Sequence, residues 1–340
     1  MSRRFFQVAL PKTLWVVLGA IALCSSGCSG SASVSEAESV DGEMGSDSAA
    51  ELQVVTTFLP ITQFAAAVAG DRAEVVQLLP MNIGPHDYQA KPDDVRAIAN
   101  ADVLVKNGLE AEFFLENMIE NAGNADLAVV DSSEGVVTIE GDDDHDHGHD
   151  HGHREEDDHG EEAAHGGADP HIWLDPKRAI EQVENIRDGL IAVDPEGEME
   201  YTANAEEFVA ELTALDAEIS EMLSPFEGQT FVVLHDFAAY FADSYGLQSR
   251  ALVNVPEENP SPEDVKQVMD TVQAQGLKTL LSEPQVERKS FESVARDLGI
   301  DILVFDPMET ADSTAIQPDY YLDVMRQNAE NLAAGFETLE

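Results

Sequence analysis

Two series of short β-branched runs, interleaved with helical patterns and separated by one long amphipathic stretch, limit most strongly how this 340-residue chain can fold. In the first series Gln53–Phe58, Val75–Leu79, Val103–Lys106 and Leu127–Val130 read as strands, with Ile61–Ala69 and Pro92–Ala99 as helices between them. The second series follows the same plan, with strands at Phe231–His235, Ala251–Val255, Thr279–Ser282 and Ile302–Phe305 and helices at Pro262–Gln275 and Phe291–Asp297. Such alternation predicts an α/β fold in which parallel sheets carry helices on their faces. Between the series, Tyr201, Ala205, Phe208, Leu212, Leu215, Ile219 and Met222 recur at spacings of four and three, bounded by Pro195 and Pro225. About 26 helical residues rising 1.5 Å each make a rod of roughly 40 Å, long enough to bridge two lobes. The expected organisation is a first α/β lobe over 51–194, one long rigid helix over 195–224, and a second α/β lobe over 225–340.

The amino terminus reads as a targeting segment. Arg3, Arg4 and Lys12 precede a short apolar run, Leu14 to Leu23, and the chain's two cysteines, Cys24 and Cys28, follow it. About ten apolar residues are too few to span a bilayer, which takes roughly 20. Gly27 before Cys28 supplies the small residue that a lipid-modified cysteine requires, whereas Leu23 before Cys24 does not. Residues 1–28 are therefore expected to be a signal peptide ending in lipidation at Cys28, the alternative being a cleaved secretory peptide without lipid. Residues 29–50 are Ser, Gly, Ala and acid, a composition suited to a flexible tether. The expectation is an exported protein, periplasmic or at the cell surface, held to the membrane by its lipidated end. Beyond Cys28 there is no cysteine, which excludes disulfides and thiolate metal ligands from the mature fold.

Acidic residues number 67 against 18 Lys and Arg, a field that repels phosphate backbones and excludes nucleic acid as a partner. The segment 141–165 holds eleven acids and one Arg, so most of the net charge of −49 is spread over the rest of the surface. Seven of the ten histidines also fall there: His145, His147, His149, His151, His153, His159 and His165. Their alternation with Gly and charge denies the segment 142–165 a core, and its imidazoles could hold metal ions weakly or be incidental to a solvated loop.

Three histidines remain for the folded parts. His86 follows the second strand in Met81-Asn82-Ile83-Gly84-Pro85-His86. His171 lies in Asp169-Pro170-His171-Ile172-Trp173-Leu174-Asp175-Pro176, and His235 ends its strand. Asp306 ends a strand in the same manner. In open α/β sheets ligands bind beyond the carboxyl ends of the strands. A single histidine there is more often a hydrogen-bonded structural residue, but three imidazoles and one carboxylate, two from each half, match the tetrahedral set that zinc accepts. Asp175 before Pro176 reads as a helix N-cap, and Asp306 before Pro307 fits that device as well as a ligand role.

Pro85-His86-Asp87-Tyr88-Gln89, the Asp169–Pro176 run, His235-Asp236-Phe237-Ala238-Ala239-Tyr240-Phe241, Ser282-Glu283-Pro284-Gln285 and Asp306-Pro307-Met308 together resemble the zinc/manganese family of ABC-importer solute-binding proteins, in the family's order and from about residue 51 to the end. The resemblance implies two α/β lobes joined by a rigid helix, with one metal buried between them. It gives His86 and His171 from the first lobe and His235 and Asp306 from the second as ligands. Manganese members tend to carry a carboxylate where this chain has His235, and an acidic, His-rich loop before the Asp-Pro-His run is a habit of zinc members, so zinc is expected over manganese. A monomer delivering zinc to a membrane permease follows. The first motif departs from the family in lacking the Glu-Pro that commonly follows the tyrosine, and some zinc members take the fourth ligand elsewhere or leave it to water. Two rival readings are a zinc hydrolase with Glu283 or Asp236 as general base, which lacks any His-Glu-x-x-His pair, and a manganese-binding or adhesive surface lipoprotein of the same fold.

Overall fold

The computed structural model of the chain describes residues 52–86, 88–139, 167–253, 266, 269–270, 272–274, 276–277, 279–284, 295–296, 299–312 and 315–337. The expected signal peptide with Cys28, the tether, the histidine-rich segment 142–165 and most of the two helices expected over 262–275 and 291–297 lie outside the described residues.

The described chain holds two four-stranded parallel sheets. The first is built from β1 (Leu52–Thr56), β2 (Ala73–Gln77), β3 (Val103–Lys106) and β4 (Ala128–Asp131), in the order β2-β1-β3-β4. The second, from β5 (Thr230–His235), β6 (Gln248–Val253), β7 (Thr279–Ser282) and β8 (Asp301–Val304), has the matching order β6-β5-β7-β8. In each sheet the chain steps to one side, returns past its first strand and continues on the other, which opens a crevice at the carboxyl ends of β1 and β3, and of β5 and β7. The strand expected to begin at Val75 starts two residues earlier and ends at Gln77. The amides of Leu78 and Leu79 still donate to Thr56 and Thr57, so the apolar run extends past the ladder into the loop toward His86.

Helices α1 (Leu59–Ala69), α2 (Pro92–Asn100), α3 (Leu115–Ala122), α4 (Pro176–Val193), α5 (Glu198–Leu223), α6 (Ala239–Ser244) and a C-terminal helix (Pro318–Glu337) surround the sheets. Asp175 caps α4 by accepting from the Lys177 amide, and Pro176 occupies the first turn, where its missing N–H costs nothing. The long helix predicted from periodicity is α5, flanked by single 3-10 turns at Pro195–Gly197 and Ser224–Phe226. Its buried stripe, Tyr201, Ala205, Phe208, Leu212, Leu215, Ile219 and Leu223, faces a core to which α1, α4 and the C-terminal helix, all neighbours of α5, contribute. One apolar core consequently runs from Val103–Val105 of the first sheet, through α1, α4 and α5, to Phe231, Val233 and Leu281 of the second and to Phe305 just past β8. Alternate residues of β5 serve opposite faces: Val232 packs instead with Leu277, Leu280 and Ile300 in a smaller cluster. No described helix is long and apolar enough to cross a membrane.

Candidate metal centre

Loops at the carboxyl ends of the strands carry the polar residues that converge between the sheets. His86 sits at the end of the loop leaving β2, which turns at Pro80–Ile83 and is anchored beyond the histidine by a hydrogen bond from the Tyr88 hydroxyl to Asp94 of α2. His171 is held from both sides. Asn107, at the end of β3, donates to the Pro170 carbonyl at 3.0 Å, while Trp173 donates to the Pro307 carbonyl at 2.9 Å and its own carbonyl accepts from Tyr321 at 2.7 Å. His235 closes β5. Because Val232 pairs with Leu280 on β7, extending that register by three residues brings His235 beside Glu283.

These elements place His86, His171 and His235 with Glu309 so that one ligand atom from each lies within 4.8 Å of all the others. The Nε2 atoms of His86 and His171 are 3.3 Å apart, and Glu309 Oε1 lies 3.5 Å from His86 Nε2, 3.7 Å from His171 Nε2 and 3.4 Å from His235 Nε2. A tetrahedron with metal–ligand bonds of roughly 2.0–2.1 Å has edges of about 3.3–3.4 Å. The four separations above, 3.3–3.7 Å, lie at or slightly above those edges, close enough for one ion to draw the four atoms into a four-coordinate sphere. His235 Nε2 and Glu309 Oε1 are buried with no hydrogen-bond partner among the described residues, an expensive arrangement unless a cation completes it.

The far side of two rings is fixed by carboxylates. His171 Nδ1 lies 2.7 Å from Asp169 Oδ1, which also accepts the His171 amide, and His235 Nδ1 lies 2.6 Å from Glu283 Oε1. With Nδ1–H donated outward, each Nε2 lone pair faces the centre, the tautomer a metal needs. Burial opposes charge on both rings, but Asp169 and Glu309 raise His171 to about 10, and Glu283 and Glu309 raise His235 to about 9. Burial likewise opposes ionisation of Glu309, yet the three imidazoles hold its carboxyl well below the ordinary range. The centre thus concentrates negative charge that only bound protons or a cation can balance.

Asp306, expected as the fourth member, is not in this cluster. Its side chain accepts from the amide of Met308, two residues on, and its backbone is clamped by Asn328 on the C-terminal helix. A short Asp side chain before proline satisfies its own turn more readily than it reaches across a cleft. That turn, with Met308 at φ 60°, redirects the chain so that the longer Glu309 enters the site. Burial, reinforced by Glu283 and Glu309, raises Asp306 to about 6. Glu309 escaped the sequence reading because nothing in Met308-Glu309-Thr310 distinguishes a buried acid from an exposed one. The seven histidines between 145 and 165 lie outside the described residues. Glu283, considered as the base of a hydrolase, instead orients His235, and Glu309 fills the position that a catalytic zinc keeps open.

Over residues 54–335 the chain matches the family described as zinc-uptake complex component A, periplasmic. It is similar to MntA, a manganese-binding lipoprotein of Halalkalibacterium halodurans, at 28% identity over 323 residues, which cover 94% of this chain and 96% of that one. It is 30% identical over 286 residues to the zinc-binding protein AdcA of Streptococcus pyogenes, covering 83% of this chain and 55% of AdcA, so it spans about half of that relative's length. A zinc-bound deletion mutant of ZnuA superposes with a TM-score of 0.69 at 28% identity, covering 84% of this chain and 97% of that structure. By fold, site and family match, the chain belongs to the ZnuA family of zinc-uptake components, which are solute-binding parts of transport systems and not enzymes.

Proposed function

We propose that this protein captures one zinc ion between His86, His171, His235 and Glu309 and delivers it to an ABC-type importer, working outside the cytoplasm while tethered through a lipid on Cys28. The observation that carries the proposal is the convergence of three imidazole nitrogens and one carboxylate oxygen, with four separations of 3.3–3.7 Å that approach the edges of a zinc-sized tetrahedron. Three imidazoles and one carboxylate oxygen favour zinc over manganese, which prefers more oxygen ligands in an octahedral sphere. The MntA relative makes manganese the reading to test against, by competition between the two ions.

Within the proposal, Asp169 and Glu283 hold two imidazoles in the metal-ready tautomer, and Glu309 brings the charge. His86, whose side chain is 18% exposed while the other three ligands are nearly closed off, forms the mouth through which the ion enters and leaves. The histidines of 142–165 serve as a weaker reservoir. His171→Ala should lower zinc affinity by orders of magnitude in a chelator-competition titration, and deletion of 142–165 should lower metal stoichiometry while sparing tight binding. Tight zinc binding by His171→Ala would remove the assignment.

A further inference from the structure

We propose that Gly84 is a specificity-determining residue of the metal centre: lacking a side chain, it lets the Glu309 carboxylate lie against the 81–86 loop with a single oxygen turned to the three imidazoles. The inference rests on the reading of His86, His171, His235 and Glu309 as the ligands, and adds a residue that touches no metal.

All three close approaches to the imidazoles are made by Glu309 Oε1. The other oxygen points away, toward Gly84. A Cβ built on Gly84 would stand 3.1 Å from Oε2, 3.4 Å from the Glu309 Cβ and 3.8 Å from its Cδ. The first is tighter than ordinary non-bonded contact, and the other two are ordinary contacts that leave no spare room around it. Gly84 is not among the glycines with positive φ, so the position needs the missing side chain for space and not for backbone freedom. Neither loop can easily withdraw. The Ala311 amide donates to the Met81 carbonyl at 2.7 Å, and Trp173 holds the Pro307 carbonyl at 2.9 Å, so the chain on both sides of Glu309 is tied to the first lobe. A methyl group at 84 would therefore be absorbed by the carboxylate, which must turn or shift by a few tenths of an ångström.

A four-coordinate ion with bonds near 2.0–2.1 Å suffers from that shift, whereas a larger, oxygen-preferring ion accepts a displaced or two-oxygen carboxylate. Gly84 in this way selects for zinc. The test is a cycle of wild type, Gly84→Ala, Glu309→Ala and the double variant, with zinc and manganese affinities read by chelator competition and folding read by thermal melting. Gly84→Ala should weaken zinc about tenfold and manganese less, and should add nothing once Glu309 is alanine. An equal loss in both backgrounds, or no loss in the first, overturns the proposal. Unchanged zinc affinity in Glu309→Ala would instead sink the ligand assignment and this inference with it. Should Gly84→Ala not fold, the shorter Glu309→Asp in the same chain restores folding if the two side chains compete for space, and failure to restore it overturns the proposal.

Discussion

Glu112 shows how far a single buried acid can depart from its surface behaviour. It accepts hydrogen bonds from the Thr57 hydroxyl and from the amides of Asn107 and Gly108, bracing the turn where Leu109 and Glu110 hold positive φ. Burial nevertheless dominates and raises it from 4.5 to about 7. Because the folded value lies above the unfolded one, the native state binds the proton more tightly. The contribution is fully present below about pH 4.5 and is lost as pH rises through about 7. Thermal melts between these limits should show stability falling by on the order of 3 kcal/mol from this group, and Glu112→Gln should flatten that slope. Asp169 and Glu283 act at the same scale: Asp169→Asn or Glu283→Gln should each weaken zinc about 10- to 100-fold by releasing an imidazole's orientation, measured by chelator competition. The three clustered histidines were legible because His, scarce outside one tract, occurred in loops after strands or at a strand end, within recognisable runs. Glu309 was not, since acids crowd this sequence and its inward turn depends on how Asp306 and Met308 fold.

Among the elements, α5 was the most legible and is the most consequential. Its four-and-three spacing survives intact as a buried stripe, except that Leu223 and not Met222 completes it among the fully buried positions. Its entry is stapled by Arg72, which pairs with Asp194 and stacks over Tyr201, while Tyr201 donates to the same carboxylate. A Cβ on Gly197 would strike both the Arg72 and Tyr201 side chains. Strand ends were less legible than strand cores, because an apolar run such as Val75–Leu79 continues past the ladder into loop residues, Leu78 and Leu79, that are themselves buried. Leu212, with no exposed surface, lies midway along α5 in the core shared by α1, α4 and the C-terminal helix. Leu212→Ala should cost about 2–5 kcal/mol in denaturant unfolding, and a loss below 1 kcal/mol would show that the stripe carries little of the fold.

At the scale of the molecule, the net charge of −49 bears on zinc capture and on stability in opposite directions. Like charges held close together by folding repel, so the fold is under electrostatic load that salt relieves. The same field draws a dication toward the centre, and salt weakens that attraction: the screening length falls from about 30 Å at 0.01 M to about 8 Å at 0.15 M. Inside the centre the contacts are short, and three of the four clustered side chains are at most 4% exposed, so screening reaches them little. Raising monovalent salt over this range should therefore raise the melting temperature of the metal-free protein and slow zinc association, while leaving dissociation nearly unchanged. Thermal melts and stopped-flow mixing with a zinc-reporting dye separate the three quantities. A dissociation rate that rises as steeply as association falls would mean that the bound ion remains open to solvent, and that the tetrahedral enclosure drawn by His171, His235 and Glu309 does not persist in solution.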